Sequence, residues 1–204
     1  MMSFYLWKSV KLHSRANWLL QGSFHSRTLL GWTSHTSDKP QNFTLTKTIN
    51  ATPSQVYDVV SEVSKYHEFI PYCIESFVNE RNQVDNRPTE AGLRVGFRQY
   101  DERYTCKIKC EEKANEEFIV QADSISHTLF QDLSTRWIIR AHPQRHNATQ
   151  AELLLRFKFR SRLYNSVSSI FGKSVTELVM KAFEKRVFEL RKRSLKAATN
   201  ASNM

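Results

Sequence analysis

Tyr66–Ser76 reads YHEFIPYCIES and sits between a short helical pattern and a long array of alternating segments. Pro71 has no backbone donor and pushes Ile70 out of helical space, so a helix entering this stretch must stop there. Cys73, Ile74 and Phe77 then supply apolar side chains where a strand is expected to begin. Tyr66, Phe69 and Tyr72 make the junction aromatic, with few charges. Connections between elements are ordinarily polar and exposed. An apolar one implies packing over something, either the protein's own core or a ligand.

Upstream of the junction, Phe43, Leu45 and Ile49 share one face of a predicted strand, and Thr44, Thr46 and Thr48 share the other. Thr52 followed by Pro53 is a helix start, and Val56, Tyr57, Val60 and Val63 form the stripe behind it. A second short turn is expected over Ser64–Phe69. Downstream the period is two. Leu93, Val95 and Phe97 alternate with Arg94, Gly96 and Arg98; Tyr104, Cys106, Ile108 and Cys110 alternate with Thr105, Lys107, Lys109 and Glu111. Phe118, Val120 and Ala122 mark another face, as do Thr135, Trp137, Ile139 and Ala141. In the last strand Leu153, Leu155, Phe157 and Phe159 oppose Arg156, Lys158 and Arg160. One apolar and one charged face indicate an antiparallel sheet covered on one side. A long helix is predicted over Tyr164–Leu195, with Ile170, Phe171, Val175, Leu178, Val179, Ala182, Phe183, Val187 and Leu190 at helical spacing and a break expected near Gly172. The class is α+β.

The run YHEFIPYCIES resembles the mitochondrial coenzyme Q-binding proteins, START-like members of the polyketide cyclase and lipid-transfer superfamily. Phe130–Trp137 (FQDLSTRW) and Phe157–Arg186, which contains FKFRSRLYNSV and KAFEKR, extend the resemblance to about residues 43–190. None of these stretches is a catalytic signature. The resemblance implies a helix-grip fold, a curved antiparallel sheet around the long C-terminal helix, and an apolar cavity holding coenzyme Q as ligand with no separate cofactor. Ligand-binding positions are then expected at Tyr66, Phe69, Pro71, Tyr72, Cys73, Val95, Phe97, Tyr104, Cys106, Phe130, Trp137, Phe157, Val175, Val179 and Phe183, with Tyr66, Phe69, Tyr72 and Phe130 as candidates to stack on the quinone ring. Each tail CH₂ buried in such a cavity contributes roughly 0.8 kcal/mol.

Charge is unevenly placed along the 204 residues, whose formal net charge is +10. Gln41–Leu155 holds 13 basic and 16 acidic residues, whereas Arg156–Lys196 holds 12 basic and 3 acidic. A positive field confined to the last segment attracts anionic membranes or nucleic acid. Docking of the basic C-terminal helix on the anionic inner membrane is expected, with no specific nucleic acid. Met1–Ser37 carries Lys8, Lys11, Arg15 and Arg27, no acid, and several aromatic residues, the character of a mitochondrial transit peptide. The organisation expected is a presequence and linker over 1–40, a START-like lipid-binding domain over 41–196, and a disordered tail over 197–204. No apolar stretch reaches the ~20 residues that span a bilayer, so the chain is not expected to cross one; the resemblance implies a peripheral place on the matrix side of the inner membrane. Three cysteines at 73, 106 and 110 form no disulfide framework.

Other chemistries find little support. Cys106 and Cys110 share a strand face without a second pair of metal ligands, and His142 and His146 fall in a predicted turn. Asp101–Glu102 and Glu111–Glu112 are adjacent on strands and face opposite ways. No catalytic or metal-ligating residue is assigned. A cyclase-like enzyme acting on an aromatic or polyketide substrate is the alternative, with Tyr104 and Cys106 as the inward polar pair. A further alternative is an adaptor that binds RNA or a ribosome through the basic helix.

Overall fold

Thr52 starts the first helix as its spacing predicts. Its hydroxyl accepts the Gln55 N–H at 3.4 Å while the Gln55 side chain accepts the Thr52 N–H at 3.2 Å, a capping box with Pro53 at the first helical position. The computed structural model describes residues 39–97, 100–126, 128–160 and 168–202. The expected presequence lies outside these residues, as do the side chains of Phe97, Ile170 and Phe171.

The elements are β1 (Gln41–Ile49), α1 (Pro53–Ser61), a 3-10 helix (Val63–Glu68), β2 (Cys73–Arg81), β3 (Pro88–Phe97), β4 (Tyr100–Lys113), β5 (Glu117–Ser126), β6 (Phe130–Ala141), β7 (Thr149–Phe159) and α2 (Ser168–Ser202). The seven strands form one antiparallel sheet in the order β1-β7-β6-β5-β4-β3-β2. Register shifts between Cys73 and Glu75, between Thr105 and Cys106, and between Phe130 and Asp132 fall where β2 and β6 begin and in the first half of β4. Such bulges bend strands and increase their twist. α1, the 3-10 helix and α2 lie against the concave face; this is the helix grip. We call the end where β1, β2 and α2 begin the upper end, and the end where α2 approaches Asn50 the lower end.

The core follows the predicted faces. Val56, Tyr57 and Val60 of α1 pack with Cys106, Ile108, Val120, Trp137, Ile139 and Leu153 of the sheet and with Met180, Phe183 and Val187 of α2. Ion pairs fasten the helices to the sheet and to each other, Lys47 of β1 with Glu184 of α2 among them. Arg81 holds Glu62 through both guanidinium nitrogens, at 3.1 and 2.8 Å, and this pairing keeps the Glu62 carboxyl below its ordinary pKa. Arg186 of α2 pairs with Glu68 of the 3-10 helix.

Three expectations for the C-terminal helix are corrected. It runs on to Ser202 through the segment 197–204 expected to be a disordered tail, because Ala197, Ala198 and Ala201 favour a helix and no Gly or Pro interrupts them. Gly172 lies inside the helix and is no break. A Cβ there would come within 2.2–2.6 Å of the Phe43 ring, so the glycine is needed for the close approach of α2 to β1. Finally, the buried line is Gly172, Thr176, Met180, Phe183 and Val187, whereas Leu178 faces outward.

Candidate functional site

The YHEFIPYCIES junction folds as a tight turn over the upper end of the sheet. The Cys73 N–H bonds the Ile70 carbonyl at 3.2 Å, with Pro71 second and Tyr72 third in the turn, and Tyr72 has a φ of 67°. The turn is fastened to the end of β3 by the Gly96 N–H, which donates to the Tyr72 carbonyl at 2.9 Å. Its aromatic residues separate. Tyr66 donates its phenol to the Val60 carbonyl, and its ring meets Phe69 and Phe183 edge-on, with centroids 5.8 and 5.1 Å away. Phe69 meets Phe183 at 5.1 Å. Tyr72 points away, 51% exposed, and the Cys73 thiol is buried, donating to the Glu75 carbonyl at 3.3 Å.

On the concave face the expected positions fall into two clusters. The main one holds Cys106, Trp137 and Phe183, with Tyr66, Phe69, Tyr104 and Val179 packed against it; Trp137 and Phe183 lie 4.8 Å apart. A second cluster fills the upper end under β1, β7 and β6. There Phe130, Leu155, Phe157 and Phe159 stack with Phe43, Leu129, Leu133 and Val175. Phe130 is therefore buried among phenylalanines, 5.0 Å from Phe159. The opposite upper quarter, under β3, β4 and the end of β5, is more exposed. Leu93, Val95, Tyr104 and Ser124 line it from the sheet, Phe69 and Ile70 from the junction, and all are partly buried. Ser124 continues the parity of Val120 and Ala122, a signal present in the sequence but not followed that far. Phe43 was legible as a strand residue, and Leu133 continues the parity of Thr135 and Trp137; their role in the second cluster needs the β1-β7-β6 order.

Depressions of about 320 and 180 Å³ lie elsewhere. The first is bordered by Thr52, Gln55, Asn147, Arg191, Ser194 and Leu195 at the lower end. The second includes Thr44, Gln121, Ser134, Arg136 and Arg156, from the sheet's charged side.

The inward polar groups are neutral at physiological pH. Burial pushes the Cys106 thiol up to about 12 and the Cys73 and Cys110 thiols to about 11. Burial, reinforced by Cys106, also raises the Tyr104 phenol above its ordinary value. This wall is apolar and uncharged, with hydroxyl and thiol donors in place of acid–base groups.

Residues 49–184 match the family described as polyketide cyclase / dehydrase and lipid transport. The chain belongs to that family. Within it stand close relatives: the mitochondrial coenzyme Q-binding protein COQ10 of Saccharomyces cerevisiae is 56% identical over 161 residues, 79% of this chain and 77% of that one. Its counterpart in Eremothecium gossypii is 54% identical over 169 residues, 83% of this chain and 82% of that one. These matches place the chain in the coenzyme Q-binding protein family. A START superfamily protein from Mycobacterium smegmatis superposes with a TM-score of 0.63 at 17% identity, covering 73% of this chain and 98% of that one, and shares the fold. Both coenzyme Q-binding relatives are named as binding proteins and as mitochondrial.

Proposed function

We propose that this family member binds coenzyme Q, or a related isoprenoid quinone, against the concave face of its sheet. It acts as a carrier that makes the quinone usable by the respiratory chain and, indirectly, supports its synthesis. The observation that carries the reading is a helix grip with an apolar, uncharged inner wall in a chain 56% identical to a protein named for coenzyme Q binding. The partly buried positions Phe69, Leu93, Val95 and Tyr104 mark where a ligand would enter at least cost in displaced packing. Because the second cluster already fills the other upper quarter, a long tail requires α2 or the junction to shift.

Binding rather than catalysis is the role we assign. Tyr104 and Cys106 are both held in their protonated forms, whereas a general base must give up its proton near the working pH. The cell compartment is the mitochondrion, with the protein lying on the matrix face of the inner membrane. Support for membrane contact comes from the outer side of α2, where Lys181, Lys185, Lys192 and Lys196 are exposed beside Phe188 and Leu195, which are 63% and 60% exposed. Basic and apolar side chains on one face suit an anionic lipid surface. Organic extraction of the purified full chain, followed by mass spectrometry, tests the carrier reading. A near-stoichiometric polyisoprenoid quinone is expected. A protein that is empty and takes up no added quinone would overturn it.

A further inference from the structure

The concave wall carries a hydrogen-bond donor that no protein acceptor among the described residues engages. Three tyrosines belong to the main cluster or pack against it: Tyr57, Tyr66 and Tyr104. Tyr66 is satisfied by the Val60 carbonyl, and Tyr57 lies beside the Cys110 thiol with the Arg87 guanidinium over its ring. Among the described residues the Tyr104 phenol has no protein hydrogen-bond partner, and since no sealed side-chain oxygen there lacks one, it reaches solvent at the edge of the wall. It stands on the β4 face shared with Cys106 and Ile108, opposite Leu93 of β3, and both Tyr104 and Leu93 are only partly buried.

The groups around Tyr104 do not answer it. Glu102, the nearby carboxylate, is engaged elsewhere: its oxygens accept the Thr128 N–H at 2.7 Å, the Thr128 hydroxyl at 2.6 Å and the Leu129 N–H at 3.1 Å. The Cys73 thiol donates to a backbone carbonyl. Water is the acceptor open to this phenol, and a ligand that covers the wall must supply an acceptor in its place or leave the donor unpaired. With 13 phenylalanines in the chain, several of them on this same face, the hydroxyl is the exception that calls for an acceptor from outside.

A benzoquinone ring substituted with methoxy groups is a ligand of the matching kind. Its carbonyl and ether oxygens accept hydrogen bonds, and it has no donor of its own. We infer that Tyr104 donates its phenolic proton in a hydrogen bond to a carbonyl oxygen of the bound quinone ring, fixing the head group against β3 and β4. The inference rests on the quinone-carrier reading above. It makes Tyr104 the residue that distinguishes a quinone head from a plain hydrocarbon of the same length. Because the phenol is raised in pKa, it stays a donor throughout the physiological range.

The test uses the full chain and two probes, a decyl-substituted dimethoxy-methyl-benzoquinone labelled with ¹³C at its carbonyls, and decylbenzene. Infrared difference spectra of the wild-type protein should show one carbonyl band moved to lower frequency on binding. In Tyr104→Phe that band should return to the position of a free carbonyl, and the quinone Kd, read by tryptophan quenching, should rise roughly five- to tenfold, the worth of one neutral hydrogen bond. Decylbenzene should bind both proteins alike. An unchanged band and Kd in the variant would overturn the inference while leaving the carrier reading intact. An equal loss of decylbenzene binding would also overturn it, since the effect would then be packing. A wild-type protein that binds no quinone would instead overturn the carrier reading, and this inference with it.

Discussion

Tyr72 occupies a backbone position that ordinarily goes to glycine. A proline second and a positive φ third are the marks of a type II turn, and a side chain in the left-handed region costs about 1–2 kcal/mol. The sequence made Pro71 legible as a stop, because proline's effect is local and steric. It concealed the conformation of Tyr72, because nothing in a tyrosine announces a left-handed backbone; the Ile70–Cys73 closure imposes it. The choice among Tyr66, Phe69, Tyr72 and Phe130 as the residue to stack on a quinone ring met a similar obstacle. Spacing brings aromatic residues near a junction but does not say which of them the helix opposite will engage, and here Phe183 engages Tyr66 and Phe69. Tyr72→Gly should relieve the backbone cost against a glycine's larger loss of chain freedom, a net gain of about 0.5–1 kcal/mol. Urea unfolding reads this directly; a lowered midpoint would mean that contacts of the ring outweigh its backbone.

At the level of elements, strands were read more accurately than the long helix. Alternation with period two is unambiguous where one face is charged, as in β7, whose Leu153, Leu155, Phe157 and Phe159 are all buried. In α2 apolar residues lie on both faces. Leu178, Phe188 and Leu195 point outward, while the buried line includes Gly172 and Thr176, which do not count as hydrophobic in a pattern. Thr176 is accommodated because its hydroxyl donates to the Gly172 carbonyl at 2.7 Å. The stripe read from sequence consequently took in Leu178 and passed over Met180. The two faces differ in energy and can be separated by truncation. Phe183→Ala removes a ring that touches Tyr66, Phe69 and Trp137 and should cost about 3–5 kcal/mol. Leu178→Ala, at a position 36% exposed, should stay within about 0.5 kcal/mol of the parent. Equal losses in chemical denaturation would show that α2 is rotated from the arrangement described.

Across the whole molecule, charge and packing are both lopsided, and the two asymmetries suit each other. The sheet presents a mildly acidic body, while α2 carries the positive field, with lysines and two exposed apolar side chains along its outer side. An anionic bilayer meeting that side touches the element whose inner side, through Val175, Val179 and Phe183, closes the concave face. Docking and access to the interior then involve one helix, and a surface that attracts α2 outward also lowers the cost of opening the packing beneath it. The charge bias was legible from composition alone; which lysines of α2 stand on its outer side required the packing of α2 against the sheet. Lys181→Glu combined with Lys192→Glu reverses two exposed charges and touches none of the buried line. At about 1 kcal/mol per basic residue near an anionic surface, the double variant should bind vesicles containing anionic lipid at least thirtyfold more weakly. The parent's binding should itself fall as salt rises, since exposed charges are screened beyond about 10 Å at 0.1 M. Co-sedimentation with anionic and with neutral vesicles measures both effects. Should the double variant sediment as fully as the parent, the positive field of α2 is not what holds the protein to lipid, and the upper rim around Tyr72 and Ile74, exposed and apolar, becomes the surface to mutate next.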